Sequence, residues 1–198
     1  MSAAAPSPYG TGQRVLEVGA IGAFALLAAW STWRLLAATG PHCFAVVLVA
    51  APVGWLAADL GSGLLHWACD SFGSASTPVI GQALIRPFRE HPVDPQAMTR
   101  HDFVETHGAS CLAALPFLAA SVAVPLASWP WLLAQAVLLC IALGALFTNQ
   151  CHKWAHMDEA ATPAAVRWAQ RRRLVLPRDH HRLHHTAPFD SHFCMSSG

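Results

Sequence analysis

The chain has 198 residues, of which 54% are hydrophobic and only 12% are Asp, Glu, Lys or Arg. Its apolar residues fall in long blocks separated by polar segments, a pattern typical of an integral membrane protein. Because the formal net charge is only +1, the sequence lacks the strong basic field that indicates nucleic acid as a partner.

Four apolar blocks predict an all-α integral membrane protein with about four transmembrane helices. The predicted spans are residues 15–38, 43–60, 111–127 and 132–147. The Ala-, Pro-, Ser- and Gly-rich residues 1–13 are predicted to be disordered, and residues 14–198 to form a single membrane domain. The second and fourth helices are expected to continue beyond the membrane as more polar extensions.

The distribution of Lys and Arg predicts the orientation in the membrane. With four spans, eleven of the twelve basic residues and eleven of the twelve histidines lie on one side. Basic residues collect on the cytoplasmic side of membrane proteins. We therefore expect a multi-pass protein of a bacterial inner membrane, with a histidine-rich cap on its cytoplasmic face.

Two segments before the third span carry candidate metal ligands. The extension of the second helix places His66 and Asp70 one helical turn apart, so both can bind one metal ion. The proline-rich loop that follows carries His91, His101 and His107. Residues 98–106 of this loop are predicted to form a short helix on the membrane interface.

Two later segments contain His-x-x-x-His pairs, which are typical of metal sites on helices. His152 and His156 share one face of the extension of the fourth helix. The run His180-His181-Arg182-Leu183-His184-His185 holds two further pairs with the same spacing. Interfacial or surface histidines are the alternative interpretation of each segment taken singly.

The residue types also indicate which metal such a site would take. The six cysteines show no CxxC spacing, and an oxygen cage for magnesium or calcium would not use so many imidazoles. Nitrogen-rich sites with a few carboxylates suit iron, zinc or copper. Eight or more candidate ligands exceed one tetrahedral site, so the sequence favours two metals, with iron as the choice for redox chemistry.

Four ordered motifs resemble the Kua/CarF family of lipid desaturases. They are DLGSGLLHWACDSFG, IRPFREHPVDPQAMTRHDF with ETHG, FTNQCHKWAH and LPRDHHRLHHTAPFDSHFC, which together cover the chain from Asp59 almost to its end. The resemblance implies a membrane oxidoreductase with two iron ions. This enzyme would use O2 and two electrons to convert a plasmanyl (alkyl-ether) phospholipid into a plasmenyl (vinyl-ether) phospholipid, a plasmalogen.

The resemblance also implies a set of metal ligands. Carried over position by position, they are His66, Asp70, His91, His152, His156, His180, His181, His184 and His185. Within the last four, His181, His184 and His185 are preferred over His180. His101 is a weaker candidate. Asp59, Asn149 and Asp179 are candidates for orienting the imidazoles.

The chain departs from the family pattern at a few positions. Pro92 stands where the family has a second histidine, His107 where it has Asn, and Phe189 and His192 where it has His and Tyr. The missing imidazole at Pro92 leaves two alternatives: a ligand set in which His107 or His192 compensates, or a weakened site.

The implied partners are a phospholipid substrate, the membrane and an external electron donor such as cytochrome b5 or a ferredoxin. The chain itself has no dinucleotide, haem or iron–sulphur motif. Arg167 and Arg171 to Arg173 form a basic patch that suits either an acidic donor or anionic lipid headgroups. Alternatives to the main prediction are an acyl-chain desaturase of phosphatidylglycerol, a membrane metal-binding or transport protein, and a b-type haem protein.

Overall fold

Helices form the framework of the protein. The computed structural model describes residues 9–78, 80–92 and 94–197. The α-helices of this part are α1 Thr11–Thr39, α2 Cys43–Ser71, α3 Arg86–Glu90, α4 Ala97–Arg100, α5 Phe103–Ala123, α6 Trp129–His156, α7 Ala164–Arg171 and α8 Arg178–His184. These described residues contain no strand, which confirms the all-α prediction.

Three helical segments are long and apolar enough to cross a membrane: Thr11–Ser71, Phe103–Ala123 and Trp129–His156. The first contains two helices, because the chain turns between α1 and α2 through the 3₁₀ turn Gly40–His42. Gly40 opens this turn with a φ of 50°, a left-handed conformation that favours glycine. The long helices α1, α2, α5 and α6 make up these segments and are called the membrane part below. Several apolar helices agree with the prediction of a multi-pass membrane protein.

Polar contacts fix the directions of α1, α5 and α6. Near one end Arg14 donates to Asp102 at 2.7 Å, and near the other the hydroxyls of Ser31 and Ser121 share a hydrogen bond of 2.5 Å, so α1 and α5 run parallel. Gln135, near the start of α6, donates to the backbone oxygen of Ser31 at 2.8 Å, so α6 runs back. Ser31, Ser121 and Gln135 are all buried, as interhelical polar contacts in membranes usually are.

Small residues bring α2 and α6 close together. A Cβ on Gly54 would lie 2.4 Å from the Cβ of Cys140, and a Cβ on Gly144 would lie 2.7 Å from that of Ala58. Such residues allow membrane helices to approach closely. Because these contacts advance in the same direction on both helices, α2 runs parallel to α6. The helices are ordered α1, α5, α6, α2, so α2 and α5 flank α6 without packing extensively on each other.

Apolar side chains occupy both the interior and the exterior of this bundle. Phe24, Leu118 and Leu139 belong to its buried core. Phe44 and Leu26, by contrast, are 76% and 75% exposed. An outer surface with large exposed apolar side chains is suited to lipid rather than to water.

The third long helix begins earlier than the predicted span, residues 111–127. Asp102 caps α5 by accepting a hydrogen bond from the backbone N–H of Glu105 at 3.0 Å, so the helix begins at Phe103. Its other end, Ala123, comes just before Pro125, which cannot continue a helix in that position.

The predicted interfacial helix over residues 98–106 is wrong. The chain forms the short helix α4 and then extends at His101, whose ψ is 142°. The cap provided by Asp102 starts a new helix instead of continuing the old one.

The predicted disordered start falls mostly outside the described residues, which exclude residues 1–8. Residues 11–13, however, form the first turn of α1.

The short helices lie at the end of the bundle where α2 and α6 terminate. Lys153 of α6 donates to the backbone oxygen of His101 at 2.7 Å, which holds the segment between α2 and α5 against α6. The helix α8 meets α6 at the same end, where the Nε2 atoms of His181 and His156 lie 2.7 Å apart. This end is called the polar end below.

Candidate metal centre

Eight potential metal ligands meet at the polar end, although they come from four separate stretches of sequence. The ends of α2 and α6, the residue after α3, and α8 with its C-cap supply them. They form two groups, the five-histidine cluster (His91, His152, His156, His181 and His185) and the His–Asp cluster (His66, Asp70 and His184).

The side chains of the five-histidine cluster point their Nε2 atoms at a common centre. The Nε2 of His91 lies 3.0 Å from that of His152 and 3.1 Å from that of His156. The Nε2 of His181 lies 2.7 Å from that of His156 and 3.2 Å from that of His185. Four of these residues are buried, and His185 is half-buried.

The His–Asp cluster uses the end of α2 and the end of α8. His66 is fully buried, and its Nε2 lies 3.2 Å from Oδ2 of Asp70. The Nε2 of His184 lies 3.8 Å from the same carboxylate oxygen. One carboxylate and two imidazoles thus face each other at the edge of the membrane part.

The two clusters are adjacent. The ring of His66 lies 4.5 Å from that of His184 and 5.7 Å from that of His152, measured between centroids. The rings of His184 and His185, neighbours in sequence, are 5.1 Å apart and belong to different clusters. The arrangement is therefore one centre with two ligand groups.

Three imidazoles of the five-histidine cluster that lie outside the membrane-spanning helices, those of His91, His181 and His185, are held in their neutral form. Burial, reinforced by neighbouring imidazoles, places the pKa of His91 and of His181 far below the usual value of 6.5. The same causes lower the pKa of His185 to about 4. A neutral imidazole has the free lone pair that a metal ligand needs.

Contacts with neighbouring residues orient the His–Asp cluster and shield it from water. The Nδ1–H of His184 donates to the backbone oxygen of Ser191 at 2.9 Å, which directs Nε2 towards the cluster. The ring of Phe193 lies 5.6 Å from His66 and 5.0 Å from His184, and the ring of Phe88 lies 5.0 Å from His66. These aromatic rings cover the cluster on two sides.

The donor set fits metal cations. A neutral imidazole donates through one nitrogen and accepts through the other, so five converging Nε2 atoms cannot all satisfy one another by hydrogen bonds. Two imidazole nitrogens at right angles about a cation, each at about 2.1 Å, lie about 3.0 Å apart, which is close to the distances seen here. Among the described residues, both ring nitrogens of His66 and Oδ1 of Asp70 are buried without a hydrogen-bond partner.

The structure brings together eight of the nine predicted ligands and leaves His180 aside. The ring of His180 instead faces that of His192, with 4.8 Å between centroids. His107 packs against Phe103 at 4.7 Å, and His101 lies 3.4 Å from Glu105. Neither His107 nor His192 reaches a cluster, so neither compensates for the imidazole missing at Pro92.

The residues expected to orient the imidazoles have other partners. Asp59 accepts hydrogen bonds from the backbone N–H groups of Ser196 at 2.8 Å and Ser197 at 3.2 Å. Asn149 donates to the backbone of α5, and Asp179 pairs with an arginine. The contacts that do orient and cover the imidazoles, from a backbone oxygen and two Phe rings, carry no signal in the sequence.

An apolar groove leads from the membrane part to the metal centre. It has a volume of about 420 Å³ and lies over α6, between α2 and α5. Small residues such as Gly61 and Ala113 form its sides, and His91 and His152 form part of its wall. From Thr106 to Phe117 it follows α5 for about 16 Å, at 1.5 Å for each residue. This apolar groove therefore joins the membrane part to two ligands of the five-histidine cluster, His91 and His152.

Comparison with known proteins agrees with this geometry. Residues 55–198, which include both clusters, match the family model of the lipid desaturase domain. The chain belongs to the lipid desaturase family. This membership confirms the family resemblance inferred from the four motifs, and with the apolar helices it supports a membrane lipid desaturase.

Several named proteins are similar to this lipid desaturase. It is 43% identical over 191 residues to plasmanylethanolamine desaturase of Myxococcus xanthus, and the aligned region covers 96% of this chain and 66% of that protein. It is 40% identical over 199 residues to plasmanylethanolamine desaturase 1 of Mus musculus, covering 96% and 72%. Fatty acid desaturase 4 of Arabidopsis thaliana chloroplasts is 34% identical over 151 residues, covering 76% and 45%. No solved structure matches the chain.

Proposed function

We propose that the protein is a di-iron lipid desaturase that converts the alkyl-ether chain of a plasmanyl phospholipid into the vinyl ether of a plasmenyl phospholipid. The observation that carries this proposal is the apolar groove, whose wall includes His91 and His152 of the metal centre, so that a lipid chain lying in it would be next to these two residues. Two relatives are named for plasmanylethanolamine, so we propose the same ethanolamine headgroup here.

The donor set supports two iron ions. The two adjacent clusters offer five ligands and three ligands, and seven of the eight are imidazoles. Nitrogen donors with one carboxylate suit iron. When bound, two iron ions would supply the O2-dependent oxidising power that amino-acid side chains lack.

The reaction removes one hydrogen from each of two adjacent CH2 groups of the substrate. O2 takes up these two hydrogens together with two electrons and two protons and leaves as two water molecules. The products are therefore water and a C=C bond next to the ether oxygen. The two electrons must come from an external donor. We propose cytochrome b5 or a ferredoxin for this role.

The protein's own residues bind and orient the substrate. Small residues in the walls of the groove, including Gly61 and Ala113, leave room for a lipid chain between α2 and α5. Phe88 and Phe193 exclude water from the centre. Arg86 and Glu90, paired at 2.9 Å, form part of the groove wall near the centre, where the polar headgroup would lie.

We propose a bacterial inner membrane as the location, and the distribution of basic residues supports an orientation with the active site at the cytoplasmic face. Arg14 and Lys153 lie at the polar end, whereas Arg34 contacts backbone oxygens at the other end of α5. Basic residues mark the cytoplasmic side.

An acyl-chain desaturase of phosphatidylglycerol is the second candidate, because the Arabidopsis relative is named a fatty acid desaturase. A metal transporter fits less well. It would need ligands along a path through the bilayer, and both clusters of the described residues lie at one end.

The decisive experiment is expression in cells that make no vinyl ethers and are supplied with alkyl-ether phospholipid. Acid-labile vinyl ethers are expected with the wild-type chain and not with His152→Ala. Iron without vinyl ethers, accompanied by new double bonds in phosphatidylglycerol, would favour the second candidate. A purified protein without bound iron would refute the proposal.

A further inference from the structure

A second groove reaches the metal centre from the polar end. It has a volume of about 620 Å³ and lies between the end of α6 and the helices α7 and α8. Its walls include His156, His181 and His185 of the five-histidine cluster. A molecule in this groove would be separated from the centre by a single layer of imidazoles.

This second groove is basic. Arg167, Arg171, Arg178 and Arg182 line it, so we call it the arginine groove. Only two carboxylates share its walls, and one of them, Asp179, is already paired with an arginine outside the groove at 3.4 Å.

Most of these arginines form no ion pair with a carboxylate of the described residues. Arg167 donates to the backbone oxygen of Glu159 at 3.0 Å, which holds it in place. Among the described residues, Arg171, Arg178 and Arg182 have no carboxylate partner within 4.0 Å. Arg171 and Arg182 are also exposed. The groove therefore carries four arginines against two carboxylates, and three of these arginines form no ion pair within the described residues.

The two grooves differ in the partner that each can take. The apolar groove is lined by the long helices α2, α5 and α6, whereas the arginine groove lies at the polar end and is lined mainly by α7 and α8. A proposed reaction that consumes two electrons needs a path to the centre that the substrate does not block. The arginine groove provides such a path.

We infer that the arginine groove is the docking surface for an acidic one-electron carrier protein. The inference rests on the proposed function, because only an O2-dependent oxidation needs the carrier. Two reduced carriers dock in succession, and each is oxidised by one electron. Those two electrons, two protons and the two substrate hydrogens reduce O2 to two water molecules.

A membrane surface would use different residues. Arg172 and Arg173 lie outside the groove, next to the exposed apolar side chains Trp168 and Leu174. Basic and apolar side chains side by side suit anionic lipid headgroups. Arg172 is therefore a matched control for Arg171, since the two are adjacent, exposed and equally charged.

The test measures binding of an oxidised acidic plant-type ferredoxin to the purified protein in nanodiscs of phosphatidylcholine. Arg171→Glu combined with Arg182→Glu is expected to weaken binding at least tenfold, because charge reversal replaces attraction by repulsion. Arg172→Glu is expected to change the affinity less than about twofold. Added salt should weaken wild-type binding strongly. Unchanged iron content would show that the double variant keeps its metal centre.

The inference fails if Arg172→Glu weakens ferredoxin binding as much as the double variant does, or if the double variant binds normally. It also fails if the double variant loses only binding to vesicles containing phosphatidylglycerol, because the groove would then be a lipid-binding surface. Dithionite-driven desaturation by the wild-type protein tests the proposed function separately. If dithionite drives no desaturation, the proposed desaturase function is rejected. The binding measurement still shows whether the arginine groove is the docking surface.

Discussion

His180 and His181 are adjacent in sequence but lie in different surroundings. The Nε2 of His181 lies 2.7 Å from that of His156 inside the five-histidine cluster, and His181 is 2% exposed. The ring of His180 turns to the other side of α8, towards His192. A single helical step therefore separates a proposed ligand from a residue outside the centre.

This difference gives a matched pair of variants. His181→Ala is expected to lose most of the bound iron, because it removes a donor that several other imidazoles surround. His180→Ala is expected to keep at least about nine-tenths of the iron. Metal content per protein, measured by plasma mass spectrometry, decides between them. Equal losses in the two variants would contradict the ligand set.

The sequence predicted that these histidines would converge, but not how they would be divided. Spacing showed that His180 and His184 share a face of α8, as do His181 and His185. In the structure His184 joins the cluster of α2, whereas His185 joins that of α6. Helical spacing identifies a face, but the partners on that face depend on how α8 is packed, which no local pattern specifies.

Asp59 anchors the last described residues to the membrane part. It is 3% exposed and accepts hydrogen bonds from the backbone N–H groups of Ser196 and Ser197. These bonds hold Phe193 over the His–Asp cluster and Cys194 against Gly63, where a Cβ would lie 3.0 Å from the Cys194 sulphur.

Asp59→Asn is expected to lower the free energy of unfolding by about 1–3 kcal/mol, since a buried charged acceptor is lost. The tail should loosen, and maleimide should label Cys194 faster, as followed by peptide mass spectrometry. Asp190→Asn, at an exposed carboxylate in the same tail, is the control. Unchanged labelling in Asp59→Asn would show that the anchor does not hold the tail.

At the scale of helices, α2 and α6 depend on glycine for their close contact. Gly54 faces α6 so closely that an added Cβ would approach Cys140 to 2.4 Å, whereas an added Cβ on Gly61 would meet nothing within 4 Å. Both glycines lie on α2, so the same substitution can be compared at a packed and an open position.

Gly54→Ala is expected to destabilise the protein by about 1–3 kcal/mol, because the helices must move apart. Gly61→Ala should cause no loss of stability, since alanine is the better helix former. Thermal unfolding in detergent measures both. A normal melting temperature for Gly54→Ala would mean that α2 and α6 are less closely packed than described.

The limits of α5 show why hydropathy alone misplaces a helix. The predicted span began at residue 111, where the apolar block begins, but the helix starts at Phe103. Its polar first turns include Thr106 and His107, which are only 4% and 8% exposed because they face α6. Burial by a neighbouring helix is a tertiary effect, so the sequence predicted the span and not its polar beginning.

At the scale of the whole molecule, the order of the helices creates the apolar groove. Because α2 and α5 flank α6 without packing extensively on each other, the space between them stays available for a lipid chain. The motifs predicted which residues would meet at the centre, but the groove arises from packing between helices that are far apart in sequence.

Filling this groove tests its role. Ala113→Phe is expected to slow desaturation about 5- to 150-fold at low substrate, which corresponds to about 1–3 kcal/mol of overpacking. Iron content should stay normal. Ala120→Phe, at an exposed position on the same helix outside the groove, should leave the rate nearly unchanged. Equal rates in the two variants would place the substrate elsewhere.

The gap between α2 and α5 also determines which measure of substrate concentration sets the reaction rate. A chain that enters sideways from the leaflet never passes through water, so the enzyme responds to the mole fraction of substrate among its lipid neighbours. Diluting the substrate with inert phospholipid at a constant bulk amount should therefore lower the rate in proportion. Adding more vesicles of the same composition should not raise the rate of the enzyme already embedded in its own bilayer.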